Sequence, residues 1–482
     1  MAPYFKYVTG ALVAVHSATT AAVTFTIPSQ AHTGSYTYAP VDPAPVGISF
    51  EFFAFPSYFT NVTSTTQCLS NWKDLTGVWP PIRIGGTTQD RAQYDAKTSA
   101  MVVYTVANAA DAPASLTFGS SFMTLAGKYG GSVVVGLNRG KNNIQNTIDA
   151  AKVAVSGMSN LLAIELGNEP EYYPSNSQPI ASGTWNPSTD AASQNNWAIA
   201  VGSAVNKQGI IQAGNSNDSP PKWGAAELIA TQNATVKQYV HNYAHHNYPG
   251  GTVTSLMSHR GIASNLHVFD ADVAATLKEG KQYVFGETNS VSGGGAAAVS
   301  PTFGAALWTM DYVVRATYSQ ISRTYFHHGT VGNCQYCFWG RYSMGAPYYG
   351  AYVATALLAN AASLTALDDG SSNYAAYVTF DSAGAPLRAL LYNSDYFGGS
   401  GTRSSQSFEL RGLTGSSVRA KRLTGDSAVA RVDQGGKVTF GGQTFTNGDC
   451  KISGSETFET LTVSGGQATV SLKASEALLV YL

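Results

Sequence analysis

Residues 161–170 read Leu-Leu-Ala-Ile-Glu-Leu-Gly-Asn-Glu-Pro, a short apolar run that stops on Asn168 and Glu169. A parallel strand covered on both faces reads this way, because it needs no polar alternation and is closed by turn residues. Seven other stretches share the texture: VGISFEFF (46–53), PIRIGG (81–86), SVVVGLN (132–138), GIIQAGN (209–215), QYVHNYAHH (238–246), KQYVFGE (281–287) and SRTYFHHG (322–329). Helix-like segments stand between them, among them 146–158, 191–209 and 300–317. Eight strand–helix units over residues 45–365 fit a (β/α)₈ TIM barrel with insertions. A doubly wound open sheet is the competing architecture, but no G-x-G-x-x-G follows the first strand.

Beyond Asp368-Asp369-Gly370 the pattern changes. AAYVTF, RALLYN, SFELRGL, VRAKRL, KVTFGG, TLTVSGG, ATVSLK and ALLVYL alternate with period two between Gly, Ser and Asp turns. This predicts a C-terminal antiparallel β-sandwich domain over 366–482, so the fold class is α/β with an appended sandwich. VTFTIPSQ (23–30) and SYTYAPV (35–41) have the same texture, and residues 23–44 are expected to lend strands to that sandwich. Residues 1–22 carry Lys6, a short apolar run and a small-residue exit. That is a signal-peptide pattern, too short to span a bilayer, with an ordinary strand as the alternative.

The 482 residues are 44% hydrophobic but only 12% charged, with net charge −1. Such a chain folds, yet it has no basic face for nucleic acid or a membrane surface. A surface built on uncharged polar residues, with sequons at Asn61, Asn217 and Asn233, fits a secreted, extracellular glycoprotein. The four cysteines (68, 334, 337 and 450) are expected to pair in an oxidising compartment, and three connectivities are open. A redox or zinc role for Cys334-x-x-Cys337 is disfavoured, since no second CxxC exists and the flanks are unlike thioredoxin.

Two strand ends carry the chemistry. Glu169 closes the fourth apolar strand and Glu287 the seventh. The C-termini of barrel strands converge on one face, so two carboxylates 118 positions apart can meet there. Glycosidic bond hydrolysis uses such a pair. An Asn beside one of them, here Asn168, can hold a sugar hydroxyl. Each glutamate alone also reads as a surface residue at a strand end.

GNEPEYY (167–173), GETNS (286–290), SFEFF (49–53), RIGGTTQD (83–90) and HHNYP (245–249) together resemble glycoside hydrolase family 79 of the retaining clan A, on its β-glucuronidase branch. The resemblance implies Glu169 as general acid/base and Glu287 as nucleophile. It further implies Glu51 on the distal hydroxyls of the sugar, with pairing to Arg83 as the structural alternative for that residue. Tyr248 is implied to hydrogen-bond the nucleophile. Asp90 and Thr87, in the loop after the second strand, either line the same pocket or brace the turn around Gly85-Gly86; His246 is placed at the same site, whereas His245 reads equally as structural. For a glucuronate carboxylate, Ser292, Gly294 and Tyr336 are implied in place of an arginine. No metal and no cofactor are expected, because two carboxylates suffice, and the chain is expected to act as a monomer. Trp79, Trp185, Trp223, Trp308 and Trp339 are candidates for stacking on sugar. The partner is then a carbohydrate ending in β-linked glucuronate or its 4-O-methyl ether. Two other readings stand beside this one: a neutral-sugar β-glycosidase of the same clan, of xylanase or β-glucosidase type, and a non-catalytic carbohydrate-binding protein.

Overall fold

The computed structural model describes residues 21–173 and 185–482. The proposed signal segment lies almost wholly outside the described residues. Eight strands close into a parallel barrel: β1 Val46–Glu51, β2 Ile82–Gly85, β3 Val133–Leu137 and β4 Leu161–Leu166, then β5 Ile211–Gly214, β6 Val240–Asn247, β7 Tyr283–Thr288 and β8 Ile321–His328. The ring is closed where Phe50 pairs with His328 on one side and Ile211 faces Ile164 on the other. The TIM-barrel reading of the sequence is thus the observed fold. Strands covered by helices outside and by each other inside leave almost no position to solvent and favour apolar residues, and β1, β2, β3 and β7 are buried from end to end.

The helices begin where their caps place them. The helix expected over 191–209 runs instead over Pro187–Ala204. Asn186 accepts from the Thr189 N–H, and Pro187 occupies the first turn, where a missing N–H costs nothing. It ends before Asn206 and Gly209, both at positive φ, which an α-helix cannot pass through. Thr302 caps the long buried helix Phe303–Tyr318 in the same way.

The C-terminal unit packs two sheets. One runs in the order Val438–Phe440, Ser417–Gly425, Glu476–Tyr481, Pro386–Asn393, Tyr374–Phe380, Ser363–Ala366 and Ala39–Pro40; the other holds Val23–Thr26, Ser405–Arg411 and Gln467–Lys473. Their inner faces enclose Phe25, Val378, Leu391, Phe408, Leu410, Leu472 and Val480. Strand Val23–Thr26 pairs in parallel with Ser405–Arg411, a departure from a purely antiparallel sandwich. Strands Val23–Thr26 and Ala39–Pro40 therefore share one β-unit with the strands from Ser363 to Tyr481.

Two features lock this unit to the barrel. A disulfide joins Cys68, on helix Ser64–Thr76, to Cys450 in the sandwich. At a separate contact, buried His259 gives Nδ1 to Asp311 at 2.7 Å and Nε2 to Asp368 at 2.8 Å, while the Tyr377 hydroxyl donates to the other Asp311 oxygen at 2.7 Å. An imidazole with both nitrogens on carboxylates is an imidazolium. Burial alone would lower its pKa, but the charge of Asp311 and hydrogen bonds to both aspartates outweigh that and push it up to about 10. A raised folded-state pKa contributes stability below the ordinary histidine value and loses it as pH climbs through about 10. Replacing His259 with Ala strands two buried carboxylates, with Arg315 3.8 Å from Asp368 as partial compensation. The expected loss is roughly 3–5 kcal/mol, read by urea unfolding at pH 7. A loss under 1 kcal/mol, on the scale of an exposed ion pair, would show that the triad does not hold the two units together.

Candidate active site

At the C-terminal rim of the barrel, β4 and β7 bring their glutamates face to face. One oxygen of Glu169, one of Glu287 and a ring nitrogen of His246 all lie within 4.8 Å of one another. Glu169 sits at φ +45°, a left-handed conformation costly for an L-residue and disfavoured before proline. Two neighbouring loops hold it there. The Asn168 N–H donates to Asp90 Oδ2 at 2.7 Å, and the Glu169 N–H donates to the Asn215 carbonyl at 3.0 Å. Backbone strain maintained this way turns the carboxyl into the cavity.

Glu287 is engaged on both oxygens: Oε2 accepts from Arg83 Nη1 at 2.6 Å and Oε1 from the Tyr248 hydroxyl at 2.6 Å. Arg83 itself is fully buried and also donates from Nε to Glu165 at 2.9 Å, to Asn168 Oδ1 at 2.9 Å and to Ser49 Oγ at 2.8 Å. Gln212 donates to Glu165 at 2.8 Å, and Asn242 donates to Gln212 at 3.0 Å. Side chains of β1, β2, β4, β5 and β6 thus form a polar layer under the glutamate pair, where such barrels usually pack branched aliphatics.

The alternative pairing of Glu51 with Arg83 is not what forms. In the β1–β2 register Ser49 lies opposite Arg83 and Glu51 opposite Gly85, so Glu51 stands one layer higher. It accepts instead from the Thr88 N–H at 2.8 Å and contacts His327 Nε2 at 3.2 Å. A Cβ on Gly86, at φ +85°, would come within 2.6 Å of that carboxylate, so only glycine fits there.

The two glutamates are pushed in opposite directions. Burial, then the adjacent Glu287 charge, raises Glu169 to about 8. Burial would raise Glu287 too, but positive charge on His327, His246 and Arg83, with the Tyr248 hydroxyl, lowers it. Of these cations only Arg83 is charged at every pH. His246 is lowered to about 4, chiefly by burial, and its Nδ1 lies 2.9 Å from Glu169 Oε1. It is a neutral partner of the acid. Although Glu169, His246 and Glu287 have the spacing of a metal trio, their surroundings suit a cation poorly. Both Glu287 oxygens already accept strong hydrogen bonds, and the guanidinium repels a dication.

The cavity over the pair has a volume of about 600 Å³. Of the expected residues, Glu51, Thr87, Glu169, Tyr248, Glu287, Ser292, Gly294 and Tyr336 line it. Asn168, Asp90 and His246 are outside the wall among the described residues. Asn168 lies just behind it, its carbonyl oxygen taken by Arg83. Asp90 braces the loops, accepting from the Arg139 and Gly140 N–H groups at 2.8 Å each and from Tyr173 at 2.7 Å. His245 bonds the Asp218 carbonyl at 2.9 Å, as a structural residue would. None of the five candidate tryptophans is in the wall among the described residues. His327, Asp111 and Asn333 line it and escaped the sequence reading. His327 sits at the end of β8, so its strand-end position was the available signal; the other two stand on loops with no motif.

The sequons divide by location. Asn61 and Asn233 are exposed, whereas Asn217 lines the cavity over the two glutamates, its N–H held by Glu171. The cysteines form Cys68–Cys450 and Cys334–Cys337, the second bracketing Tyr336 in the wall. The Gly293-Gly294-Gly295 run, all at positive φ, packs on this loop through the Gln335 N–H and the Gly294 carbonyl at 2.7 Å. No helix among the described residues is long and apolar enough to cross a membrane.

Residues 374–479 match the glycosyl hydrolase family 79 C-terminal beta domain. A β-glucuronidase of Aspergillus niger is 30% identical over 385 residues, covering 69% of this chain and 69% of its own. The crystal structure of a 4-O-α-L-rhamnosyl-β-D-glucuronidase from Fusarium oxysporum 12S, in complex with Rha-GlcA, superposes with a TM-score of 0.92. It is 53% identical and covers 95% of this chain and 100% of that one. An α-L-arabinofuranosidase from Thermotoga maritima, 12% identical with a TM-score of 0.65 over 96% of this chain and 99% of its own, shares the fold alone.

Proposed function

The chain belongs to glycoside hydrolase family 79, and on that premise we propose that this glycoside hydrolase is a secreted, retaining exo-β-glucuronidase. It releases terminal glucuronate, free or 4-O-substituted, from glycans. The β-glucuronidase activity of its relatives supports the reaction. The observation that carries the mechanism is the close approach of two carboxyl groups, within 4.8 Å, driven to opposite protonation states. Retaining enzymes hold this pair ~5–5.5 Å apart, and inverting ones leave room for a water at ~6.5–9.5 Å.

Glu287, kept anionic by Arg83, attacks the anomeric carbon while protonated Glu169 gives its proton to the leaving oxygen. Once the ester forms, Glu287 no longer carries charge. Part of what raised Glu169 is gone, so it becomes a competent base toward water on the second step. His246 holds the Glu169 carboxyl in place through both steps. Glu51 and His327 receive the distal hydroxyls, with Thr87 at the cavity edge. The wall has no Lys or Arg among the described residues, and the uronate carboxylate is proposed to meet the Tyr336 hydroxyl and the Ser292–Gly294 segment, whose glycines bring backbone amides close. Glycans are proposed on Asn61 and Asn233; one on Asn217 would fill the substrate's place.

The test compares nitrophenyl β-glucuronide, β-glucoside and β-xyloside across pH. The glucuronide is expected to have the highest kcat/KM, with a basic limb near pH 8 as Glu169 loses its proton. Faster turnover of the glucoside would favour a neutral-sugar enzyme instead.

A further inference from the structure

A second cavity, of about 630 Å³, lies beside the catalytic one over the ends of β1 and β8. Thr330 lines both, and the chain passes from Ala109 in one wall to Ala110 in the other, and from Gly332 to Asn333. These two loops stand as a partition with one face in each cavity. The mechanism above uses nothing on the far side of it.

The chemistry of the far side suits a glycan. Its rim carries Tyr342, 78% exposed, and Tyr104, 38% exposed, the latter braced edge-on against Phe53 at 5.3 Å. Single exposed aromatics are ordinary; two flanking one concave site offer flat apolar faces for sugar rings with hydroxyls at the edge. Arg341, exposed and next to Tyr342 in the chain, lines the same cavity and has no ion-pair or hydrogen-bond partner among the described residues. The other arginine of the cavity, Arg431, is already bonded to Asp433. A free guanidinium beside sugar-stacking rings selects a carboxylated sugar.

We propose that this cavity is a non-catalytic binding site for a second uronate-bearing branch of the polymer whose chain end occupies the catalytic cavity. The partition makes the occupant a separate segment, not a continuation of the glucuronyl residue under attack. This rests on the proposed glucuronidase function for the identity of the polymer. It adds a place where a densely branched acidic glycan stays held while successive ends are trimmed.

The test uses an acidic arabinogalactan with many glucuronate-terminated branches, its carboxyl-reduced form, and nitrophenyl β-glucuronide. All proteins carry Asn61→Gln, because that sequon shares a surface with Arg341 and Tyr342 and its own glycan would compete. Arg341→Ala/Tyr342→Ala is expected to raise KM for the polymer about tenfold, the scale of one lost charge-assisted contact. Turnover of the nitrophenyl substrate is expected to stay within twofold of the parent. The parent, but not the variant, is retarded in a native gel containing the polymer. The carboxyl-reduced polymer and added salt weaken the parent's retardation. Equal KM for the polymer in both proteins, or an equal loss on the nitrophenyl substrate, overturns the proposal. Should the parent not hydrolyse the glucuronide, the functional reading fails separately. Gel retardation of an inactive Glu287→Gln protein still reads this site in that case.

Discussion

Glu287→Gln is expected to lower kcat for nitrophenyl β-glucuronide by roughly 10⁴-fold or more, the scale of losing a covalent nucleophile. The amide matches the carboxylate in shape, so the barrel should survive. It cannot attack the anomeric carbon, and it no longer answers the Arg83 guanidinium at 2.6 Å with charge. The loss should appear for every leaving group. Glu169→Ala should behave differently, because a dinitrophenyl leaving group needs no protonation. With that substrate the first step is retained, the glycosyl-enzyme accumulates as a burst, and azide gives the β-glucuronosyl azide. For poor leaving groups the same variant should lose about 10²–10⁴-fold. Glu287→Gln hydrolysing within tenfold of the parent, or azide rescue with inversion in Glu169→Ala, would exchange or remove the two assignments.

Arg83→Met is expected to damage both the fold and the chemistry. The guanidinium is the shared partner of Glu165, Glu287 and the Asn168 carbonyl, and it has no exposure to solvent. Removing it takes from two buried carboxylates the cation they share, leaving Glu287 with His327 Nδ1 at 3.4 Å, at a cost of roughly 3–5 kcal/mol. The kinetic consequence has a definite sign. Glu287 is lowered in the folded protein, so it contributes stability above its unfolded pKa that is lost as pH falls through the folded one. Without Arg83 the carboxyl rises, and the acid limb of kcat/KM should move upward in pH, narrowing the active range from below. Arg83→Lys restores one positive charge but not the fork that spans several acceptors, so it should recover part of the acid limb and little of the stability. An acid limb unmoved in Arg83→Lys and in any folded Arg83→Met protein would show that the guanidinium is only structural.

The barrel was legible because its strands obey one demand. Each is buried on both faces and so mostly apolar, and runs such as SVVVGLN and LLAIELGN have no other economical reading. The facing glutamate pair was legible for a related reason: an acid at the end of such a run sits on a shared rim, whatever its distance along the chain. Tyr248 followed from the family resemblance and does meet Glu287. What lay hidden depends on layering inside the barrel. Arg83 and Glu51 look like natural partners on adjacent strands, yet the register sets them a layer apart, and Arg83 reaches across to Glu165 and Glu287 instead. His246 reads as a sugar ligand from position alone. It is instead buried against Glu169, at a point where the β6–β7 register shifts between His245 and His246. Asp111 and Asn333 stand on loops whose paths no local pattern specifies.

The crosslink between Cys68 and Cys450 spans 382 positions of the chain. It gives the molecule a tolerance to nicking that its loops alone would not. A protease that cuts once anywhere between those cysteines produces two pieces that stay covalently tethered, and the buried core on both sides of the cut keeps them docked. Such a cleaved enzyme should migrate as one species on a non-reducing gel and fall into fragments only after a thiol is added.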